Sequence, residues 1–208
     1  MILYINCQTV GKVFSFDELS DDDQILFQNK LSFNEKSELW LKECSLYPEF
    51  SKIITITIGY INSKNELKTK QLKGDEKVIL NDLFEILQKN DYTLCGLKVK
   101  SWLIPYLYRK YIYNNLPIPK TILSFLNSKP WEIKHIDIYE MMGLNYNTPI
   151  TLDLILKNCN LPYNLTKLSG SDIHTTYYLS PDEHDKIYDK SEYVIKSIDR
   201  IFNYLNSF

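Results

Sequence analysis

Short β-branched and apolar runs alternate with longer amphipathic segments along this chain. Extended runs of this kind predict strands at residues 2–7, 52–61, 66–73 and 92–97, and around Ile136 and Ile138. The alternation of isoleucine and threonine in 52–61 is typical of a strand with two different faces. Because 66–73 is rich in lysine, it is expected to pair with 52–61 as an edge strand that resists aggregation.

Helical spacing of apolar residues predicts helices at about 75–89, 103–114 and 151–158, and a long final helix whose apolar stripe runs from Ile187 to Leu205. Thr151 is a predicted N-cap, and residues 180–183 (Ser-Pro-Asp-Glu) match a cap, a first-turn proline and a capping-box glutamate. The charged segment around 16–48 predicts a helical insertion. This order of elements favours one α/β domain over 1–208, built on a mixed sheet.

Composition excludes several classes of protein. The 208 residues carry a formal net charge of −2, which argues against a dedicated electrostatic nucleic-acid binder. No apolar run approaches the roughly 18 residues of a membrane span, and residues 1–6 do not resemble a secretory signal, so a cytoplasmic protein is expected. The scattered cysteines predict reduced, buried thiols. The absence of alanine and the presence of only two arginines indicate an AT-rich genome.

A set of short motifs carries a resemblance to a known family, and their order and spacing matter more than any one of them. They are Cys95-Gly96, 104–107 (Ile-Pro-Tyr-Leu), 116–119 (Leu-Pro-Ile-Pro), 129–132 (Lys-Pro-Trp-Glu), 135–137 (His-Ile-Asp), 151–154 (Thr-Leu-Asp-Leu), Gly170-Ser171, Tyr177-Tyr178 and Tyr188. Over nearly its whole length the chain resembles bacterial predicted 3′–5′ exonucleases related to the exonuclease domain of DNA polymerase B, in the DEDDy branch of the DnaQ-like proteins. The resemblance implies an RNase H-like mixed β-sheet flanked by helices.

Enzymes of this family use four carboxylates to hold two divalent cations that activate water at a phosphodiester. The corresponding residues of this chain, called the matched positions below, are Asn6, Gln8, Lys98, Leu103, Tyr188 and Glu192. Both acids of the first motif are replaced by amides, and Leu103 cannot bind a cation. Lys98 adds a positive charge, and Glu192 is one methylene longer than the family's aspartate. We therefore expect no metal cofactor and no catalysis.

The resemblance, together with the replaced carboxylates, implies a pseudo-exonuclease with a protein partner, acting as a binding or scaffold subunit of a nucleic-acid-processing assembly. One alternative is a metal-independent binder of single-stranded DNA or RNA, or of 3′ ends. Another is an exonuclease that remains active through relocated ligands. Candidate nucleic-acid contacts lie near the matched positions and in the adjoining aromatic and basic helix: Lys98, Lys100, Trp102, Arg109 and Lys110. Trp102 is expected to flank the site and fill space left by the missing metals.

Histidines and cysteines offer weaker candidates. His135 and Asp137 alternate on a short strand, as a metal pair could, but the resemblance treats this stretch as structural. His174 and His184 are expected to be polar surface residues. No cysteine has a histidine beside it in the sequence, which argues against thiol catalysis. The lysines of the predicted edge hairpin, including Lys68 and Lys70, fit a solvated edge, with a phosphate-contacting patch as the alternative.

Overall fold

The computed structural model describes residues 1–30, 36–144, 150–164, 168–170 and 172–208. Part of the predicted insertion (31–35) and Ser171 of the motif set lie outside them. The described strands form one mixed sheet in the order β3–β2–β1–β4–β5. Their bounds are β1 Ile2–Gly11, β2 Ser51–Ile61, β3 Leu67–Lys73, β4 Thr93–Gly96 and β5 Ile136–Asp137. β1 is antiparallel to β2 and parallel to β4, so the chain's first strand lies at the centre of the sheet.

The strands predicted from sequence are confirmed, with two differences in length. β1 continues to Gly11, because its polar residues also pair with β2: Gln8 faces Thr55 in the ladder, and a bulge follows before Thr9 faces Ile53. β5 is only two residues long, and Ile138 already begins a helix. β3 pairs with β2 along its full length and forms one edge of the sheet, as its lysines predict.

The helices cover both faces of the sheet. Their bounds are α1 Asp21–Lys30, α2 Lys36–Glu43, α3 Glu76–Gln88, α4 Ile104–Tyr113, α5 Lys120–Asn127, α6 Ile138–Met141, α7 Leu152–Asn158, α8 Asp172–Leu179 and α9 His184–Leu205. A wide π-type turn, Val99–Leu103, leads into α4. Single 3₁₀ turns lie at Phe16–Glu18, Cys44–Leu46, Pro130–Glu132 and Pro181–Glu183. Among the described residues, no helix combines the length and the apolar character needed to cross a bilayer.

Alternation along β1 divides the interior into two layers. Leu3, Ile5 and Cys7 join a core cluster with residues of α3 and α4 on one face. Tyr4 points to the other face, where a second cluster contains the inward stripe of α9. Gly59 of β2 allows close approach there, because a Cβ atom at this position would lie 2.5 Å from a methyl carbon of Ile195.

The segment between β1 and β2 forms a small core of its own. Phe27 packs edge-on against both Trp40 and Phe50, with ring centroids 5.1 Å apart in each pair. Phe16, Leu19 and Cys44 complete this cluster, which we call the insertion core. The helices expected around 16–48 are therefore present among the described residues, and aromatic packing holds them against the end of β1.

One predicted helix start is confirmed and one is wrong. The Thr151 hydroxyl accepts a hydrogen bond from the Leu154 backbone N–H (3.3 Å) and caps α7. Ser180 makes no side-chain cap; instead its backbone carbonyl accepts from Glu183 N–H at 2.9 Å. Residues 181–183 consequently form a 3₁₀ turn, and α9 begins at His184 rather than directly after Ser180.

Candidate functional site

The matched positions of β1 face the final helix. Asn6 and Thr57 are paired neighbours on β1 and β2, and both side chains reach α9. The Asn6 amide (Nδ2) donates to the Ser191 hydroxyl oxygen at 2.9 Å, and the Thr57 hydroxyl donates to the same oxygen at 2.7 Å. Ser191 and Thr57 are fully buried. We call this arrangement the Asn6–Thr57–Ser191 network; it joins two strands to α9 where the first family motif lies.

The other matched residues, both in α9, contact either the edge strand of the sheet or another residue of the same helix. The Lys73 ammonium lies 3.6 Å from the centre of the Tyr188 ring, and the Gln71 amide donates to the Tyr188 carbonyl at 2.7 Å. Glu192 forms an ion pair with Lys196 one turn later, at 2.6 Å. Asn6 thus meets α9 at Ser191, while Tyr188 contacts β3 and Glu192 pairs along its own helix.

The second family motif lies in a different environment. Leu103 is 2% exposed and belongs to the core cluster of Ile5 and Cys7, on the sheet face opposite Asn6. Lys98 has a left-handed backbone (φ 52°), and its ammonium lies 5.0 Å from the centre of the Tyr139 ring. Its backbone N–H donates to the Asp137 carboxylate at 3.1 Å. The chain therefore uses this motif to begin α4 and to fill the core.

The residues at these positions do not fit the two-cation centre of the family. The Asn6 amide nitrogen, a donor, is the atom turned toward Ser191, whereas a hard cation needs oxygen ligands. Leu103 offers no ligand, and the Glu192 carboxylate is ion-paired with Lys196. In the part of the chain that the structure describes, no three His, Cys, Asp or Glu side chains converge as a metal site.

The candidate nucleic-acid contacts are bound to neighbouring groups of the protein. Lys100 pairs with Glu140 at 2.7 Å, and Arg109 pairs with Glu49 at 2.8 Å. The Trp102 indole N–H donates to the Leu46 carbonyl at 3.1 Å, and its ring centre lies 4.9 Å from that of Tyr106. Trp102 therefore joins the insertion to α4.

Lys110 corrects the sequence prediction. Its side chain is 3% exposed, its ammonium donates to the Ser51 carbonyl, and it forms an ion pair with Glu76 at 2.9 Å. Burial lowers the Lys110 pKa, and the adjacent Glu76 acts in the opposite direction. This cation serves the protein interior rather than a surface that could bind a nucleic-acid strand.

His135 and Asp137 have backbone partners. Asp137 is 2% exposed and accepts hydrogen bonds from the backbone N–H groups of Lys98, Lys100 and Tyr139, at 3.0 to 3.1 Å. Burial raises the Asp137 pKa, although these hydrogen bonds oppose the rise. The buried His135 ring accepts from Leu94 N–H at 3.0 Å and faces the Thr121 carbonyl at 3.3 Å. Both side chains thus organise the backbone around β4 and β5.

The prediction that His174 lies on the surface is wrong. His174 is 3% exposed; its Nδ1 accepts from Gly11 N–H at 3.0 Å and its Nε2 lies 2.8 Å from the Phe14 carbonyl. Cys44 Sγ is 3.8 Å from the same Nδ1, so the fold supplies a histidine neighbour that the linear sequence does not reveal. Burial raises the pKa of the Cys44 thiol to about 12, which keeps it from acting as a thiolate. His184 is half-buried and stacks on Tyr177 with ring centres 4.8 Å apart.

Ser191 and Thr57 are the residues of this region that sequence reasoning missed. Ser191 directly precedes Glu192 and follows Ile187 by four residues, which places it on the inward face of α9. A small polar residue within that apolar stripe is the signal that could have revealed it. Thr57 carried no comparable signal, because threonine alternates with isoleucine across 54–58 of β2.

Comparison with known proteins gives a likeness in structure only. No protein-family model and no curated protein sequence matches the chain. A solved structure that is similar is the family B DNA polymerase from the hyperthermophilic archaeon Pyrobaculum calidifontis, with a TM-score of 0.55 and 11% identity. The match covers 99% of this chain and 24% of the polymerase chain, so this protein spans about a quarter of the polymerase's length. Together with the sheet order, this likeness confirms the predicted α/β, RNase H-like fold class.

Proposed function

We propose that this protein is an exonuclease-like domain without nuclease activity, which acts as a binding or scaffold subunit of a nucleic-acid-processing assembly. The family resemblance and the likeness to a DNA polymerase support the link to nucleic acid. The proposed loss of catalysis rests on the chemistry of the matched positions. The proposed scaffold role rests on the complete sheet and packed core that surround these positions.

The Asn6–Thr57–Ser191 network is the observation that carries the proposal. Catalysis by two cations needs a cluster of negative charge that faces a phosphodiester. Here the central strand presents a neutral amide, and that amide is used to bind α9 at 2.9 Å. Buried polar groups that satisfy one another in this way stabilise the fold and leave no charge for a cation.

A scaffold role is favoured over free nucleic-acid binding, because the predicted basic contacts serve the fold. Lys100 and Arg109 neutralise Glu140 and Glu49, and Lys110 is buried. A strand-binding groove needs cations directed at phosphates, and exposed aromatic rings on which bases stack. The near-neutral chain suits contacts with a protein partner better.

A nuclease assay tests the first half of the proposal. The purified protein is incubated with 3′-labelled single- and double-stranded DNA and RNA in Mg²⁺ or Mn²⁺, beside an active 3′–5′ exonuclease. We expect no shortening of any substrate. Metal-dependent shortening that disappears in Glu192→Gln but persists in Glu183→Gln, a control in the 3₁₀ turn before α9, would overturn it.

Native purification tests the second half. The protein carries a small affinity tag in its source cells, and complexes are recovered after nuclease treatment and sized by light scattering. A fixed-stoichiometry complex that contains a nucleic-acid-processing protein is the expected result. A monomer without a stoichiometric partner would contradict the scaffold role. If that monomer shifts labelled single strands at low salt, the strand-binding alternative replaces it.

A further inference from the structure

A cleft of about 450 Å³ opens next to the end of β1, and none of the six matched positions lines it. It is bordered by the start of β2, the first turn of α3 and the end of α4. The charged and aromatic residues of its wall are Lys12, Glu49, Lys52, Glu76, Lys110 and Tyr113. A concave volume of this size is large enough for a small molecule, and its charged wall suits a polar one.

Both glutamates of the wall are neutralised within the protein. Glu76 accepts from the Lys110 ammonium at 2.9 Å and from Ile53 N–H at 2.8 Å. Glu49 accepts from Arg109 and from the Tyr113 hydroxyl, both at 2.8 Å. Since each carboxylate is matched by one cation, the two pairs together contribute no net charge to the cleft.

Lys12 and Lys52 are the lining cations that lie outside these two pairs. Lys12 is exposed, and Lys52 is half-buried with its ammonium 4.8 and 4.9 Å from the ring centres of Tyr177 and Tyr178. Within the described part of the chain, neither lysine forms an ion pair with a carboxylate. Burial lowers the Lys52 pKa even though Glu76 and Asp75 act against it. An ammonium held in partial burial without a direct counter-ion gains most when an anion arrives.

Tyr113 offers an aromatic surface on the same wall. Its side chain belongs to the last turn of α4 and is 51% exposed, while its hydroxyl is held by Glu49. A ring fixed at one end and open on a face can stack against a planar group with little loss of conformational entropy.

We propose that this cleft binds a nucleoside monophosphate, with the phosphate held by Lys12 and Lys52 and the base stacked on Tyr113. Two ammonium groups match the charge of a phosphate monoester, and aromatic stacking accepts any base. The site goes beyond the scaffold role, because it is formed by residues outside the matched positions and needs no partner protein.

Calorimetric titration of the purified full chain at low salt tests the site, with inorganic phosphate and AMP as probes. We expect saturable binding of both, with AMP tighter. The double variant Lys12→Gln/Lys52→Gln weakens both probes by about tenfold or more, as loss of charge-assisted contacts predicts. Lys64→Gln, at an exposed lysine of the β2–β3 turn, is the matched control and leaves both unchanged.

Tyr113 variants test the stacking contact separately. Tyr113→Leu is expected to weaken AMP but not phosphate, whereas Tyr113→Phe keeps the ring and retains AMP binding. Thermal unfolding checks that each variant is folded; if the double variant is not, Lys12→Gln alone carries the test, because Lys12 is exposed. Three results would overturn the assignment. They are the absence of saturable binding, binding by the lysine variants that equals binding by the unsubstituted protein, and tighter binding of an unrelated 12-nucleotide single strand than of AMP. The readout involves neither nuclease activity nor a partner, so its failure is distinct from failure of the proposed function.

Discussion

The side-chain amide of Asn6 donates a hydrogen bond of 2.9 Å to the hydroxyl of Ser191, a residue 185 positions later in the chain. Thr57 donates to the same oxygen from the neighbouring strand. The network therefore needs an N–H group at position 6, which an ionised aspartate would not have. Asparagine at this position is suited to binding α9, so it now has a structural role of its own.

Removal of the Ser191 hydroxyl should destabilise the protein. Ser191→Ala leaves the Asn6 amide and the Thr57 hydroxyl without their shared acceptor, and it is expected to lower the free energy of unfolding by about 1–3 kcal/mol. Urea unfolding followed by circular dichroism measures the change. Ser128→Ala is the control, because the Ser128 hydroxyl bonds one turn back along α5 in solvent. Equal effects of the two substitutions would refute a role for the network.

The buried Lys110–Glu76 pair gives a second prediction. Lys110→Met leaves Glu76 with an uncompensated charge beside the core, and should cost about 3 kcal/mol or more. Adding Glu76→Gln removes that charge while retaining an acceptor for Ile53 N–H, so the double variant should recover part of the loss. Urea unfolding of the single and double variants measures both effects. Lys77→Met, on the exposed face of the same turn, controls for the loss of a lysine.

Two buried histidines predict loss of stability in acid. Burial lowers the pKa values of His135 and His174 below the usual value, although a backbone carbonyl near each ring acts in the opposite direction. In each ring Nδ1 accepts a backbone N–H, so protonation of that nitrogen would break the bond. Since the unfolded chain binds these protons more readily, stability should fall as pH drops below about 6.5 and continue to fall until the folded pKa is reached.

Urea unfolding between pH 7.5 and 5 measures this dependence. Each histidine contributes a slope of at most about 1.4 kcal/mol per pH unit within its window. His174→Gln should lower stability at pH 7.5 and also flatten the slope, whereas His184→Gln, at the half-buried start of α9, serves as the control. A slope unchanged by loss of His174 would contradict the assignment.

Thiol reactivity should separate the cysteines. Burial raises the pKa of Cys44 and of Cys95 to about 12 and that of Cys7 further, so these thiols are neutral and inaccessible in the folded protein. Cys159 is only half-buried. Under native conditions iodoacetamide should modify Cys159 first, and mass spectrometry of peptides locates the adduct. Cys159→Ser should abolish this fast reaction; rapid labelling of Cys44 in that variant would show that the insertion core opens.

The strands of the sheet were predictable because each is indicated by its own short run of residues. Several helices and the Asn6–Thr57–Ser191 network were not predictable in this way. Isoleucine and threonine in β2 determine a strand without help from distant residues. α5 is only eight residues long and follows two prolines, and α8 contains Thr-Thr-Tyr-Tyr, which favours strands when taken alone. Tertiary packing decides both, through buried Ile122 in one and buried Ile173 and His174 in the other.

The same limit applies to the candidate site: short motifs predict which residues belong to it, but contacts between residues far apart in the sequence decide their arrangement. Motif spacing located Asn6 and α9, but the meeting of Asn6 with Ser191 depends on the rotation of α9 against the sheet. Interleaved aromatic and basic residues make Lys110 a candidate nucleic-acid contact, but its burial depends on Glu76 from a different helix. Such pairings depend on how distant elements pack together, so they cannot be predicted from any short segment of the sequence.

His174 has a consequence for the order in which the protein folds during synthesis. Its ring joins Gly11 and Phe14 to α8, across 160 residues or more, and lies against Cys44 of the insertion core. These contacts can therefore form only after His174 has been synthesised, 130 residues after Cys44. Until then Cys44 and the insertion core around it lack this contact, and pairings between such distant residues form slowly during folding.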